Sequence, residues 1–393
     1  LKRDLNPNAV AGVIRDTVTR PSVRTWRSGA VLVLASGMFA SGCRSTDETP
    51  VLRLTPERWR EAVAARGVDP GDVPMPMMVT PQIRAMAEQL AGPAGNDGER
   101  LRRLQTALLD RKAYAFEYDT VATFTAAEAF AFRRGNCVSF TNLFIAFGRA
   151  LGIPLQAALV FRRARSEKEG DLVMVYNHMV AVLPKLRELT VYDFYMTRDE
   201  SRVDLKLIDD LAVAAISASN RGVEALRAGD FSRARTLLER ATKLQRSLPD
   251  LHSNLGIVRW RQGDIEGAYE AFREGLDLDP HRPALLHNLA ALYIEQGRST
   301  EARAALAAAN TRDASAYLFV VQGDLELAGG NFKEARTAYR RAYREGKNLV
   351  EALLGLARVE RALGNEPAAQ RALRKALKIR PDDPQVQALL GSS

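Results

Sequence analysis

On pattern alone the chain divides into an α+β domain over residues 51–211 and an all-α solenoid over residues 215–390, with a leader ahead of both. Three observations predict this. Glycines recur through the second half at intervals of 34, 34, 33 and 34 residues. Residues 50–211 instead mix helically spaced apolar side chains with strand-like runs at 155–161, 173–183 and 190–194. At the front, a cationic stretch at 20–27 feeds a short apolar run at 30–40. The 393 residues suffice for two or three globular units, and 46% hydrophobic with 26% charged residues excludes a chain that stays unfolded.

The leader, residues 1–42, holds six basic side chains against two acidic ones, so it carries +4 of the +9 net charge. The surplus left over is spread among many acidic residues. No Lys/Arg run is interleaved with aromatics, which argues against a nucleic-acid partner. The apolar run at 30–40 is far shorter than the roughly 18 residues of a spanning helix, and behind a positive region it has the anatomy of a signal peptide. It ends in Ala40, Ser41, Gly42 and Cys43, and small residues before a cysteine resemble the lipobox of bacterial lipoproteins. An ordinary small-residue cleavage site is the alternative. The lipobox resemblance implies that Cys43 is the lipid attachment, that residues 43–50 are a polar tether, and that the membrane is reached through the lipid. Arg44 stands where inner-membrane lipoproteins of enteric bacteria carry aspartate, which implies the outer membrane, facing the periplasm.

In the middle domain, helices are expected near 81–90 and 99–109, parted by the breaker Ala-Gly-Pro-Ala-Gly at 91–95. Phe140, Leu143, Phe144 and Phe147 then follow helical spacing until Gly152 and Pro154 end the element. Cys137 opens this helix, with Asn136 suited to the cap and Gly135 to a sharp approach. A helix amino terminus carries partial positive charge and favours the thiolate that does nucleophilic work. A buried structural thiol is the competing reading of Cys137. Two cysteines exclude a disulfide framework or a cysteine zinc site, and the four histidines give no metal-ligand spacing in the first half, so neither metal nor cofactor is expected. His178 is the one histidine outside the repeats; His252, His281 and His287 are read as surface or interhelical side chains. It lies on the strand 173–183, after a charged loop at 162–170. A hairpin turning across 184–187 sets His178 directly opposite Asp193, within about 4.5 to 5.5 Å at Cβ, where a carboxylate can orient an imidazole.

These residues carry a resemblance. The run Thr-Ala-Ala-Glu-Ala-Phe at 125–130, Arg-Gly-Asn-Cys at 134–137, Leu143-Phe144 through Pro154, Asn177-His178 and Tyr192-Asp193-Phe194 resemble the transglutaminase-like superfamily over about 101–196. The resemblance implies a papain-like fold, with Cys137 as nucleophile, His178 as its base and Asp193 fixing the imidazole, for acyl transfer at peptide amides. The Cys137 backbone N–H is one oxyanion donor to consider, and the side chain of Tyr118 or Glu117 another.

In the second half the loop glycines Gly229, Gly263, Gly297, Gly330 and Gly364 are each followed five residues later by an alanine and preceded by seven by a small residue. This resembles five tetratricopeptide repeats (TPR), stacked helix pairs whose concave groove binds protein or peptide partners. Arg259, Asn288 and Arg341 are candidate groove residues by position. The combined expectation is an envelope lipoprotein with a cysteine hydrolase or acyltransferase domain and a partner-binding array. The alternative is an inactive TPR scaffold whose triad is a relic.

Overall fold

Side-chain caps decide where the first helices begin. Thr55 accepts from the Arg58 N–H ahead of α1 (Pro56–Ala64), and Thr80 from Ile83 ahead of α2 (Pro81–Ala91). Asn96 and Glu99 cap each other's backbone at α3 (Asp97–Leu109), as Thr125 and Glu128 do at α4 (Ala126–Phe132). The computed structural model describes residues 54–169, 172–184, 189–194, 205–308, 316–346 and 348–391; the leader, Cys43 and the tether lie outside them. Among the described residues no helix is long and apolar enough to cross a membrane.

A short parallel pair, β1 (Glu117–Tyr118) with β2 (Arg134–Gly135), leads into α5 (Cys137–Ala150). The four strands β3 (Gln156–Glu169), β4 (Leu172–Pro184), β5 (Leu189–Tyr192) and β6 (Leu205–Ile208) form one antiparallel sheet in the order β5-β4-β3-β6. Phe140, Leu143, Phe144 and Phe147 of α5 share a buried core with Met179 and Ala181 of β4 and with Ile83, Leu101, Leu104 and Leu108 of α2 and α3.

Two expectations are corrected here. The charged stretch 162–170 is strand almost throughout, since β3 pairs with β4 out to Glu169 opposite Leu172. The register slips between Val160, paired with His178, and Arg165, paired with Tyr176, so extra residues of β3 bulge beside the histidine. The β4–β5 register is also two residues from the expected one. Ala181 pairs with Tyr192 and Pro184 with Leu189, because Pro184 stays in the ladder at a strand end, where its missing N–H costs nothing. Continuing that ladder sets Asp193 beside Val180 rather than beside His178. A slip of two leaves both side chains on the same sheet face, since the pleat alternates, and diagonal neighbours remain within reach.

From α6 (Asp210–Arg227) onward the chain is helical: α7 (Phe231–Leu244), α8 (Pro249–Arg261), α9 (Ile265–Leu278), α10 (Pro283–Glu295), α11 (Ser299–Ala308), α12 (Ala316–Ala328), α13 (Phe332–Glu345), α14 (Val350–Ala362), α15 (Glu366–Ile379) and α16 (Pro384–Gly391). The five hairpin glycines all take φ between +72° and +79°, which an L side chain adopts only at a cost. A Cβ at Gly222 would stand 2.7 Å from Leu238, and one at Gly323 would stand 2.5 Å from Tyr339; the small residue admits the large one across each pair. Positions 211–215 lie inside α6, so one unbroken helix joins the sheet domain to the array. Leu211, Val213, Ile216, Leu244 and Leu251 belong to the same buried core as α5.

The proposed groove residues have other work. Asn288 is fully buried and donates to Ser253 as Asn254 donates to Ser219, forming rungs between successive repeats. Arg259 bonds the Gly267 carbonyl within its own hairpin, and the Arg341 guanidinium lies 4.0 Å from the centre of the Phe319 ring. None of the three is an unengaged side chain. Asn288 lies between helices, a place that one sequence does not tell from a groove face.

Candidate active site

Gly135 sets the approach to the thiol. Its φ is +148°, and a Cβ there would run into Ser139 and come within 3.2 Å of Phe124, so only glycine fits. Asn136 follows in extended backbone and accepts from the N–H groups of Val138 (3.1 Å) and Ser139 (3.2 Å), capping α5. Cys137 is thus the first residue of a helix whose other thirteen residues are buried, and it is a half-buried free thiol. One turn on, the Thr141 hydroxyl donates to the Met179 carbonyl (3.0 Å), which holds this face of α5 against the strand beside His178.

His178 Nε2 lies 2.7 Å from Asp193 Oδ2, and the ring is near enough to Cys137 for the thiol to help hold its proton. The three side chains that the sequence reading singled out therefore meet, although His178 and Asp193 do so diagonally. Burial by itself disfavours the imidazolium. The hydrogen bond to Asp193 and the nearness of Cys137, with the negative charge of both, outweigh it and push the histidine up to about 10. With Nε2 engaged by the carboxylate, Nδ1 is the nitrogen left for the sulfur.

The aromatic residues on either side of Asp193 explain its position. Tyr192 packs on Phe144 (ring centroids 5.1 Å) and Phe194 on Phe140 (5.3 Å), two α5 rings one turn apart. Gln105 of α3 donates to the Asp193 carbonyl at 3.1 Å. Phe194 also stacks on Tyr118 (5.0 Å, 18°), whose strand position is opposite Gly135. Of the two upstream residues considered as oxyanion donors, Tyr118 is thus beside the site, whereas Glu117 is exposed.

Several contributors escaped the sequence reading. Thr141 and Gln105 are polar residues at helical spacing among apolar ones, Thr141 four after Cys137 and Gln105 next to Leu104; that misfit was the available signal. The loop 119–124 gave none. It lies over the α5 terminus, with Asn136 N–H donating to Ala122 O (3.0 Å), Asn136 Nδ2 to Thr123 Oγ1 (2.7 Å) and Phe124 N–H to Ser139 Oγ (2.8 Å). Among the described residues no His, Cys, Asp and Glu cluster could hold a metal ion.

A family model described as the transglutaminase-like superfamily matches residues 84–188, a span that includes Cys137 and His178 and stops short of Asp193. Tetratricopeptide-repeat models match residues 220–283, 259–318 and 326–392. Photosystem I assembly protein Ycf3 of Synechococcus sp. (strain CC9605) is 31% identical over 83 residues, 20% of this chain and 48% of that protein. Cellulose synthase 1 operon protein C of Komagataeibacter xylinus is 29% identical over 169 residues, 40% of this chain and 13% of that protein. The chain thus spans about half of the first relative and far less of the second. Among solved structures, a thermophilic TPR protein of Thermus thermophilus aligns at 22% identity and TM-score 0.41, over 46% of this chain and 98% of its own. YrrB, a TPR protein with an unusual peptide-binding site, aligns at 18% and 0.33, over 45% and 92%. With its thiol helix and sheet inside the first matched span and its helix hairpins inside the others, the chain joins a transglutaminase-like domain to a carboxy-terminal array of tetratricopeptide repeats.

Proposed function

We propose that this chain is a lipid-anchored cell-envelope protein whose transglutaminase-like domain cleaves or exchanges peptide amide bonds, with the repeats holding the protein that is acted upon or assembled. The observation that carries the reading is the relay from Asp193 through His178 to a thiol at a helix amino terminus. The ring of His178 already holds the proton that the Cys137 thiol gives up, and the thiolate adds to the amide carbonyl carbon, sending the π electrons onto oxygen. The Cys137 backbone N–H, at the positive end of α5, is the donor this oxyanion meets first. Collapse breaks the C–N bond, the imidazolium gives its proton to the departing amine, and a thioester remains. Water or a second amine then adds to the thioester, yielding its proton to His178, and collapse breaks the C–S bond, releasing the acid or the new amide and returning the thiolate beside the imidazolium. Asp193 keeps the ring oriented and stabilises its protonated form.

Alkylation of Cys137 by iodoacetamide, followed against pH in wild type and in His178→Ala, tests this. An activated thiol reacts well below the free-cysteine range of about 8.5 and loses that advantage without the imidazole. Reaction only near that range, indifferent to His178, would refute the nucleophile. The anchor is tested by labelled palmitate: label that persists in Cys43→Ala would remove Cys43 as the attachment site.

A further inference from the structure

The helix that opens the repeat array also grips the site at both ends of α5. At the carboxy-terminal end, Arg149 donates to both carboxylate oxygens of Asp210, the first residue of α6, at 3.1 and 2.7 Å, with both side chains buried. At the amino-terminal end the contact runs through the 119–124 loop. Glu224 Oε1 accepts from the Thr123 N–H (3.0 Å), and Arg221 Nε donates to the Thr123 carbonyl (3.0 Å) while its other arm pairs with Glu128. Thr123 is itself buried, and its hydroxyl accepts from the Nδ2 of Asn136, the residue whose Oδ1 caps α5. A chain of hydrogen bonds therefore leads from the first repeat to the residue preceding the nucleophile: Glu224 and Arg221, Thr123, Asn136, Cys137.

We infer that Glu224 and Arg221 are positioning residues for Cys137, so that the first repeat is part of the support of the active site as well as the start of the partner-binding array. Neither side chain has an assigned contact with the triad; both act through the amide groups of Thr123. Held from both sides, that residue fixes the Asn136 side chain, and Asn136 fixes the rotation of the first turn of α5 and so the direction of Sγ toward His178. A partner that shifts α6 would alter thiol reactivity through this link. The inference rests on the cysteine chemistry proposed above.

The experiment uses the full-length protein, with iodoacetamide as the probe. Glu224→Ala is expected to slow Cys137 alkylation at pH 7 roughly fivefold, the worth of one net hydrogen bond, and to move the pH profile toward an ordinary thiol. Glu224→Gln keeps an oxygen acceptor and should restore most of the rate. Thr123→Val, which breaks the chain midway without touching α6, should behave like Glu224→Ala and decides the matter if the alanine variant does not fold. A purely structural role would lower the melting temperature and leave the pH profile where it was. His178→Ala is measured alongside. If it changes the profile while Glu224→Ala and Thr123→Val do not, the positioning role is wrong and the nucleophile stands; if His178→Ala changes nothing, the cysteine chemistry itself is wrong.

Discussion

The helices α5 and α13 are both fourteen residues long, yet they are held in opposite ways. Every residue of α5 after Cys137 is buried, whereas α13 buries only Ala335, Ala338, Tyr339 and Ala342 and leaves its other side to water. A helix enclosed on all sides must satisfy its polar side chains inside the protein, and α5 has several. Ser139 and Asn142 bond the 119–124 loop, Thr141 bonds β4, and Arg149 bonds α6. Those bonds reach elements distant in sequence, and each partner positions part of the site. The contacts of α13 are with its own hairpin and the next one. Damage to α5 should therefore spread to the site, and damage to α13 should remain in the neighbouring repeats.

The sharpest way to break this contrast is Arg149→Met. It strands the buried Asp210 carboxylate with only the Leu54 N–H for company, and should cost about 3–5 kcal/mol in urea unfolding. Arg149→Met combined with Asp210→Leu should recover much of the loss, since the stranded charge is then gone. A single variant that loses under about 1 kcal/mol would mean that α6 does not clamp α5.

Next in size is Asp193→Asn. The carboxylate is one of the groups holding His178 up at about 10, so the neutral amide should let the ring titrate at least about one pH unit lower in histidine-labelled NMR. The sign for stability follows from the raised value. The folded ring keeps its proton to about 10, while the unfolded one releases it near 6.5. This contribution is complete below pH 6.5 and drains away as pH rises toward 10. In wild type, stability should fall across that window, and Asp193→Asn should flatten the fall. Equal slopes in the two proteins would separate the carboxylate from the imidazolium.

On the repeat side the matching test is Gly355→Ala. Tyr339 sits between Gly323 and Gly355 with its hydroxyl donating to Asp324 at 2.6 Å, so the ring has little room to yield to a new methyl group. Overpacking of this kind costs about 1–3 kcal/mol. Hydrogen exchange should loosen in α12 to α15 and stay unchanged in α5. Loss of protection in α5 would show that the array transmits damage more widely than its contacts suggest.

The same contrast explains what the sequence made legible. The repeats announce themselves because each glycine and each alanine answers a local steric demand that recurs with the hairpin, as with Gly222 and Leu238 or Gly323 and Tyr339. Cys137, His178 and Asp193 were legible for another reason: cysteine and histidine are scarce in this chain, and the expected order left few candidates. Asn288 could not be sorted, because a buried rung and a groove residue carry the same letter at the same spacing. The hairpin register differs from the expected one because Pro184 alone suggests an earlier turn, whereas Pro184 itself pairs with Leu189. The support of the site was hidden most deeply. Thr123 and Glu224 are 101 residues apart, and no local rule connects them.

Thr141→Val is the smallest of these tests and bears most narrowly on α5. It keeps the shape of the side chain and removes the hydroxyl that donates to the Met179 carbonyl, one residue from His178. Loss of one buried hydrogen bond costs about 1 kcal/mol, so the melting temperature should change little. The carbonyl left behind has lost a donor that fixed the strand's distance from α5, and His178 moves with that strand. Thiol alkylation should accordingly fall by a larger factor than the stability loss alone implies. The ratio of the two effects distinguishes a helix that merely fills the core from one that carries a nucleophile to its base. A rate unchanged in Thr141→Val would assign the alignment of sulfur and ring to the Asn136 cap alone.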